Sequence, residues 1–562
     1  MLMRIIKSTG FCLLLVAGVL HAQELRNPFD FPILLSGNFG ELRGNHFHSG
    51  IDFKTQQVEG KPVHAVEAGY ISRIVVSPWG YGNVLYLTHP GGITTVYGHL
   101  QRFAKDIAEY VKEQQYAKED FSVDLTLQPE QFPVEKGQLI ALAGNSGGSV
   151  GPHLHFEVRN TVTDEAVDPL EYYKDRIKDT RPPKIEGFMI YPTDGRGVVN
   201  GSSRKQELKL ITNKNGRQVL TGGKVEAWGE IGVAIKAYDY MDGTSNIYGV
   251  RRIAMAVDDS AVFSSNIDCF SIGNETRYIN SFTDYEEWRL HRSFYMKSFV
   301  EPGNRLNFVK SINRGIIHIN EERTYRISYR LRDIYGNLTQ YTLRIDGKKQ
   351  PILSPDTLGT EYFHWRSENR FGAKGIRLTI PNGNLYDDLY FHYYVNENAG
   401  SLSATHTLHN RFIALHDKAL LSLHLQTDTL EDKKKYGIVR MQNARLTWIG
   451  GTYRSGWLDA DIRELGTYTL MQDLKPPSIT PVNPAKWLAN ECISFRISDN
   501  LSGVETYRGE IDGNYVLFEL DGKKGLASYH FDNTRLEKGP HKLTFIVTDA
   551  CGNQSTYDYS WK

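Results

Sequence analysis

One signature occurs twice in this 562-residue chain, and it constrains the fold more than any other feature. Pro182-Pro183-Lys184-Ile185 and Pro476-Pro477-Ser478-Ile479 share the pattern PPxI. Paired prolines stiffen a linker and cannot sit inside a central strand. Each opening leads to a similar close, YRISYRLRDIYGNLTQY at 325–341 and HKLTFIVTDACGNQSTYDY at 541–559. Both closes alternate apolar and polar residues, turn at Asp-x-x-Gly-Asn, and alternate again, which is the pattern of paired strands. Gly336-Asn337 and Gly552-Asn553 predict tight hairpin turns. Asp-x-x-x-Gly recurs as well, from Asp239 to Gly243 and from Asp499 to Gly503.

The duplication predicts two Ig-like β-sandwiches, one over 181–349 with an insertion and one over 476–562. Residues 350–475 alternate too, as in LYFHYYV (389–395) and ALLSLHL (419–425), and predict a third β-sandwich between them. Residues 23–180 form a separate N-terminal domain with strand patterns at YISRIVV (70–76), NVLYLTH (83–89) and ITTVYGHL (93–100). Phe103, Ile107 and Val111 lie four apart and predict a helix within an insertion spanning about 102–132. That insertion is either a decoration or a wall of a cleft. Aromatics make up 12% of the chain, with 32 Tyr, which favours strands and a mainly β fold class.

The 65 basic and 65 acidic residues cancel, so no cationic excess is present to neutralise a nucleic-acid backbone. Residues 1–22 predict a signal peptide: Arg4 and Lys7 are followed by an apolar run from Phe11 to Leu20 and a small residue, Ala22. No second long apolar run follows, so an exported mature chain without a membrane span is expected. With Cys12 removed, three cysteines remain, too few and odd in number for a disulfide framework. Cys492 and Cys551 either pair across the last module or stay free.

Chemistry concentrates in the N-terminal domain. His48-Ser49-Gly50-Ile51-Asp52 sets an imidazole and a carboxylate four apart, both ligand types that suit zinc, with Gly50 read as a bend that lets them converge. In His153-Leu154-His155-Phe156-Glu157-Val158, strand alternation sends His153, His155 and Glu157 to one face and the apolar residues to the core. The glycine-rich GNSGGSVGP (144–152) precedes it. In Tyr97-Gly98-His99-Leu100, the same alternation places Thr95, Tyr97 and His99 together and brings a third histidine to the cleft. His46 reads as a loop residue, His64 and His89 as ordinary strand-end histidines, and Glu157 as a supporting residue rather than a general base.

These motifs occur in the order FHSGIDFKT, GKPVHAVEAGYISRI, YGNVLYLTHPGGITTVYGHL, VEKGQLIALAGNSGGSVGPHLHFEVR and DPLEYY. Over about residues 34–173 the chain resembles the lysostaphin/LytM-type peptidoglycan endopeptidases, interrupted by the insertion after His99-Leu100. The resemblance implies an antiparallel β-sheet peptidase domain holding one Zn2+ per chain through His48, Asp52 and His155. It implies catalytic roles for His99 and His153, and Tyr97 and Asn145 are assigned to substrate contact. The implied substrate is the peptide stems of peptidoglycan. The alternatives are a catalytically silent wall-binding regulator and a broader secreted protease. The multidomain layout resembles chains from Gram-negative bacteria of the Bacteroides type, pointing to the periplasm or the cell surface and outer membrane. The β modules are expected to dock the enzyme on wall or partner proteins, or to act as spacers.

Overall fold

In the computed structural model, residues 24–214, 218–221, 223–397, 400–537 and 539–561 are described. The expected signal peptide, residues 1–22, lies outside them. The described chain is mainly β, and no described helix is long and apolar enough to cross a membrane.

The N-terminal domain is built on an antiparallel sheet whose principal strands are β1 (Leu35–Gly37), β2 (Ile51–Lys54), β3 (Gly69–Val76), β4 (Asn83–His89) and β5 (Ile93–Phe103). Helix α1 (Lys105–Lys118) and strands β6 (Leu139–Ala143) and β7 (His153–Asn160) follow. The spatial order is β1-β2-β7-β5-β4-β3, with β6 pairing the near end of β5. In β7, Leu154, Phe156 and Val158 are fully buried in the core, so the alternation sends the other face to the site.

Gly50 acts by absence of a side chain rather than as a flexible bend. A Cβ there would lie 2.2 Å from the Phe156 carbonyl oxygen, so the approach to β2 requires bare backbone. Helix α1 buries Ile107 and Val111 on one stripe, as their spacing predicts, and ends at Glu119 in the left-handed region. Its contacts run to the last module: Lys112 Nζ lies 2.6 Å from Asp532, and the Arg535 guanidinium sits 3.9 Å from the Tyr116 ring centre.

The module after the PPxI linker is an 11-stranded sheet. It does not have a core of its own. One continuous apolar cluster runs from Leu25 to Ile345 through both units. Phe39 stacks on Phe270 at 4.7 Å, and the short strand Ala166–Val167 of the first unit pairs with Cys269–Phe270 of the second. Residues 360–472 form two sheets around a second core, and 478–561 two four-stranded sheets around a third. Cys269, Cys492 and Cys551 are all free thiols.

The substitution Gly50→Ala is expected to cost at least about 1–3 kcal/mol, because the new methyl meets rigid backbone. Chemical denaturation measures it, and parental stability would contradict the close packing of β2 on β7.

Candidate metal centre

The register between β2 and β7 sets Asp52 directly opposite His155. Residues paired across neighbouring strands share a face, so both side chains enter the cleft side by side. His48 comes from the loop just before β2, which is pinned by reciprocal backbone bonds between residues 40–41 and His48. Three ligand atoms converge. His48 Nε2 lies 3.0 Å from His155 Nδ1, His48 Nε2 lies 3.0 Å from Asp52 Oδ1, and His155 Nδ1 lies 3.1 Å from Asp52 Oδ1. All three residues are buried, and the group can hold a metal ion. A tetrahedron with bonds of about 2.0–2.1 Å has ligand–ligand edges of roughly 3.3 Å, so the triangle is close to the size zinc requires.

The second nitrogen of each ligand ring is committed. His48 Nδ1 donates to the Asn38 carbonyl at 2.7 Å, which leaves Nε2 with its lone pair toward the centre. His155 Nε2 donates to Glu157 Oε1 at 2.8 Å, which leaves Nδ1 free. Glu157 is fully buried and also accepts from Tyr81, Ser49 and Arg159. Burial opposes its charge, but His155 and Arg159 outweigh it and hold the carboxyl well below the usual range. The Tyr81 ring stacks on His155 at 4.9 Å. Burial likewise opposes a proton on His155, yet the Asp52 and Glu157 carboxylates push that ring up to about 9.

His99 and His153 stand beside this group with ring centres 4.8 Å apart. His153 Nε2 lies 3.5 Å from Asp52 Oδ1. Both rings hydrogen-bond backbone carbonyls through Nδ1: His99 to Ser146 at 2.9 Å and His153 to Gly151 at 2.9 Å. Those bonds require the Nδ1–H form and turn each Nε2 lone pair away from the loop. Burial lowers both, with neighbouring histidines adding repulsion, and takes His99 down to about 3. Both rings are neutral near pH 7.

Simple alternation along β5 does not deliver His99. Thr95 and Tyr97 point into the core, where Tyr97 has no exposed surface and packs at 5.3 Å on Phe156. Its hydroxyl accepts from the Val66 N–H. The assignment of Tyr97 to substrate contact is therefore corrected: it is a core residue. His99 reaches the cleft because its backbone adopts φ of 59° and the β4–β5 register shifts there. The extra residue reverses the side-chain direction, as a bulge does. A left-handed φ on histidine costs of order 1–3 kcal/mol, and such strain collects at working sites.

Asn145 lies half-buried in the glycine-rich loop at the rim, its Oδ1 without a hydrogen-bond partner. Its carbonyl accepts from Lys523 Nζ of the last module, which also donates to Ser149 O at 2.9 Å. His46 is exposed, and His89 is engaged by Ala68 O and Thr95 Oγ1 away from the cleft. Sequence reasoning missed Asn38, Tyr81, Ser146 and Lys523. Asn38 is the least legible, since Gly249 of the next module fixes its amide through paired bonds of 2.8 and 2.9 Å.

Comparison with known proteins bears on this site. Residues 46–118 match Peptidase family M23, a span that includes His48, Asp52 and His99, and residues 360–473 match the Zu5-like domain. The chain is 31% identical over 123 residues to the DD-carboxypeptidase/endopeptidase Mpg of Neisseria meningitidis, covering 22% of each chain. It is 34% identical over 124 residues to the peptidoglycan DD-endopeptidase ShyB of Vibrio cholerae, again 22% of each. Lysostaphin of Staphylococcus staphylolyticus is 29% identical over 130 residues, 23% of this chain and 22% of that protein. The chain thus spans about a fifth of the length of these relatives. The N-terminal part of this chain is a peptidase family M23 domain.

Proposed function

We propose that the chain is an exported zinc endopeptidase that hydrolyses peptide cross-links of peptidoglycan. The observation that carries this reading is the triangle of His48, Asp52 and His155, with both ring nitrogens facing away from it already bonded. The substrate class is taken from the relative named peptidoglycan DD-endopeptidase.

His48, Asp52 and His155 would hold the ion. When bound, zinc supplies Lewis-acid chemistry, polarising the scissile carbonyl and lowering the pKa of water to about 7. His153 is the nearer of the two neutral histidines to the ligand set. Its Nε2 takes the proton of the attacking water as oxygen adds to the peptide carbonyl carbon. His99, held by Ser146 O, presents the second Nε2 to the cleft. When the carbon–nitrogen bond breaks, the proton passes through these rings to the leaving amine. Glu157 fixes the tautomer of His155 and stays ionised, so it takes no part in proton transfer. The glycine-rich loop supplies the carbonyls that orient both catalytic rings.

Purified chain is expected to carry one zinc and to release cross-link-derived muropeptides, identified by mass spectrometry. His153→Ala is expected to keep its zinc and lose at least about 10²-fold in turnover. Retained turnover would remove His153 from the reaction, and a zinc-free parent chain would refute the enzyme. Glu157→Gln is expected to weaken zinc binding by roughly 10–100-fold in competition with a chelator. In the metal-free chain His155 is protonated below about 9, and metal must displace that proton. Affinity is therefore expected to fall about tenfold per pH unit on acidification below that value. A pH-independent affinity between about pH 8 and about pH 6 would contradict the coupling.

A further inference from the structure

The duplicated signature encloses two clusters of carboxylates that the peptidase reaction does not use. In the first repeat, Asp179, Asp239 and Asp333 each offer an oxygen within 4.8 Å of the others. In the second, Asp473, Asp499 and Asp549 do the same. The members correspond one to one in sequence. Asp179 and Asp473 each stand three residues before the proline pair, Asp239 and Asp499 four before a glycine, and Asp333 and Asp549 three before Gly-Asn.

The wiring is duplicated too. Asn337 donates its backbone N–H and side-chain amide to Asp333, and the same amide reaches the Asp179 carbonyl at 3.3 Å. Asn553 makes the same bonds to Asp549, and reaches the Asp473 carbonyl at 3.1 Å. These amides align the carboxylates without neutralising them.

Asp179, Asp239 and Asp333 are 8%, 3% and 3% exposed. Among the described residues none of the six aspartates makes an ion pair, and five of them are buried, an unusual condition for carboxylates. Asp179 Oδ1 accepts from the Arg181 N–H, but its Oδ2 is shielded from solvent and has no hydrogen-bond partner. In the second copy the shielded and unpartnered oxygen is Asp499 Oδ1. One oxygen in each repeat therefore has lost water and gained nothing in exchange. Burial pushes Asp239 up to about 8 and Asp179 up to about 6, with like charges adding to the rise. A cation would relieve that cost.

The donor chemistry selects the cation. All ligands are oxygen, with no nitrogen or sulfur, which suits a hard divalent ion. Three carboxylate oxygens within 4.8 Å of one another can share one ion, and calcium accepts the irregular, many-oxygen cages that magnesium, which keeps its waters in a strict octahedron, does not. We propose that these two aspartate triads are calcium sites, one at the entrance of each repeated module. Asp179 lies on the segment leaving the peptidase domain and Asp473 on the segment leaving the third module. Each ion ties that segment to the ends of two strands and stiffens the junction.

The test uses the full chain, treated with a calcium-selective chelator and then titrated with calcium chloride by calorimetry. Binding of two calcium ions per chain is expected, with a rise in thermal midpoint that magnesium does not reproduce. Asp239→Asn and Asp499→Asn, each changing a carboxylate with no ion pair, should each lose one equivalent, and the double variant both. Terbium luminescence excited through tyrosine reads the first site in the unmodified chain and does not depend on variants folding. No heat, no thermal shift and no terbium signal up to millimolar concentration would overturn the proposal. So would unchanged stoichiometry in both folded variants, or an equal response to magnesium. A higher thermal midpoint of Asp239→Asn in a parent that binds no calcium would identify carboxyls sharing a proton instead.

Discussion

The pairing of β2 with β7 is the constraint on which the site depends. With Asp52 opposite His155, one carboxylate and one imidazole face the same cleft, and Leu154, Phe156 and Val158 fall into the core together. A slip of one residue would reverse both faces and place three ionisable side chains in apolar packing. The bare backbone at Gly50 permits that register, since a side chain there would meet the Phe156 carbonyl. Burial of the core face and alignment of the metal ligands are thus one choice, made by strand pairing.

Around that register the site is held by groups from beyond its own domain. Asn38 orients His48, and Gly249 of the following module orients Asn38. The apolar cluster that backs β2 and β7 continues into the 11-stranded sheet without a break. The first PPxI linker therefore separates strands but not cores. Arg251, just before a strand of the second sheet, reinforces this with a buried ion pair to Asp168 at 3.1 Å.

What was legible in the sequence had short range. The faces of β7 follow from period-two alternation, and His48 and Asp52 were legible as a pair from their spacing, though the packing role of the glycine between them was not. The helical stripe of Ile107 and Val111 was legible for the same reason. Tyr97 was placed in the cleft with His99 because regular alternation cannot show a bulge, and only His99 reaches it. A bulge depends on the partner strand, here on how Asn83 to Leu85 match Leu100 and Tyr97. Asn38 lies 211 positions from the glycine that anchors it, and no local pattern carries that link. The Asp-x-x-Gly-Asn repeats were visible as turns, but their meeting with Asp179 and Asp473 needed the folded chain.

Lys523 reaches back 378 positions to the loop that orients His99 and His153. The ribosome emits that lysine long after the loop it supports. The rim of the cleft thus gains these supports only after 378 further positions have been made. A nascent or clipped chain lacking its final module would carry every ligand and both histidines, yet present them on a loop deprived of that anchor.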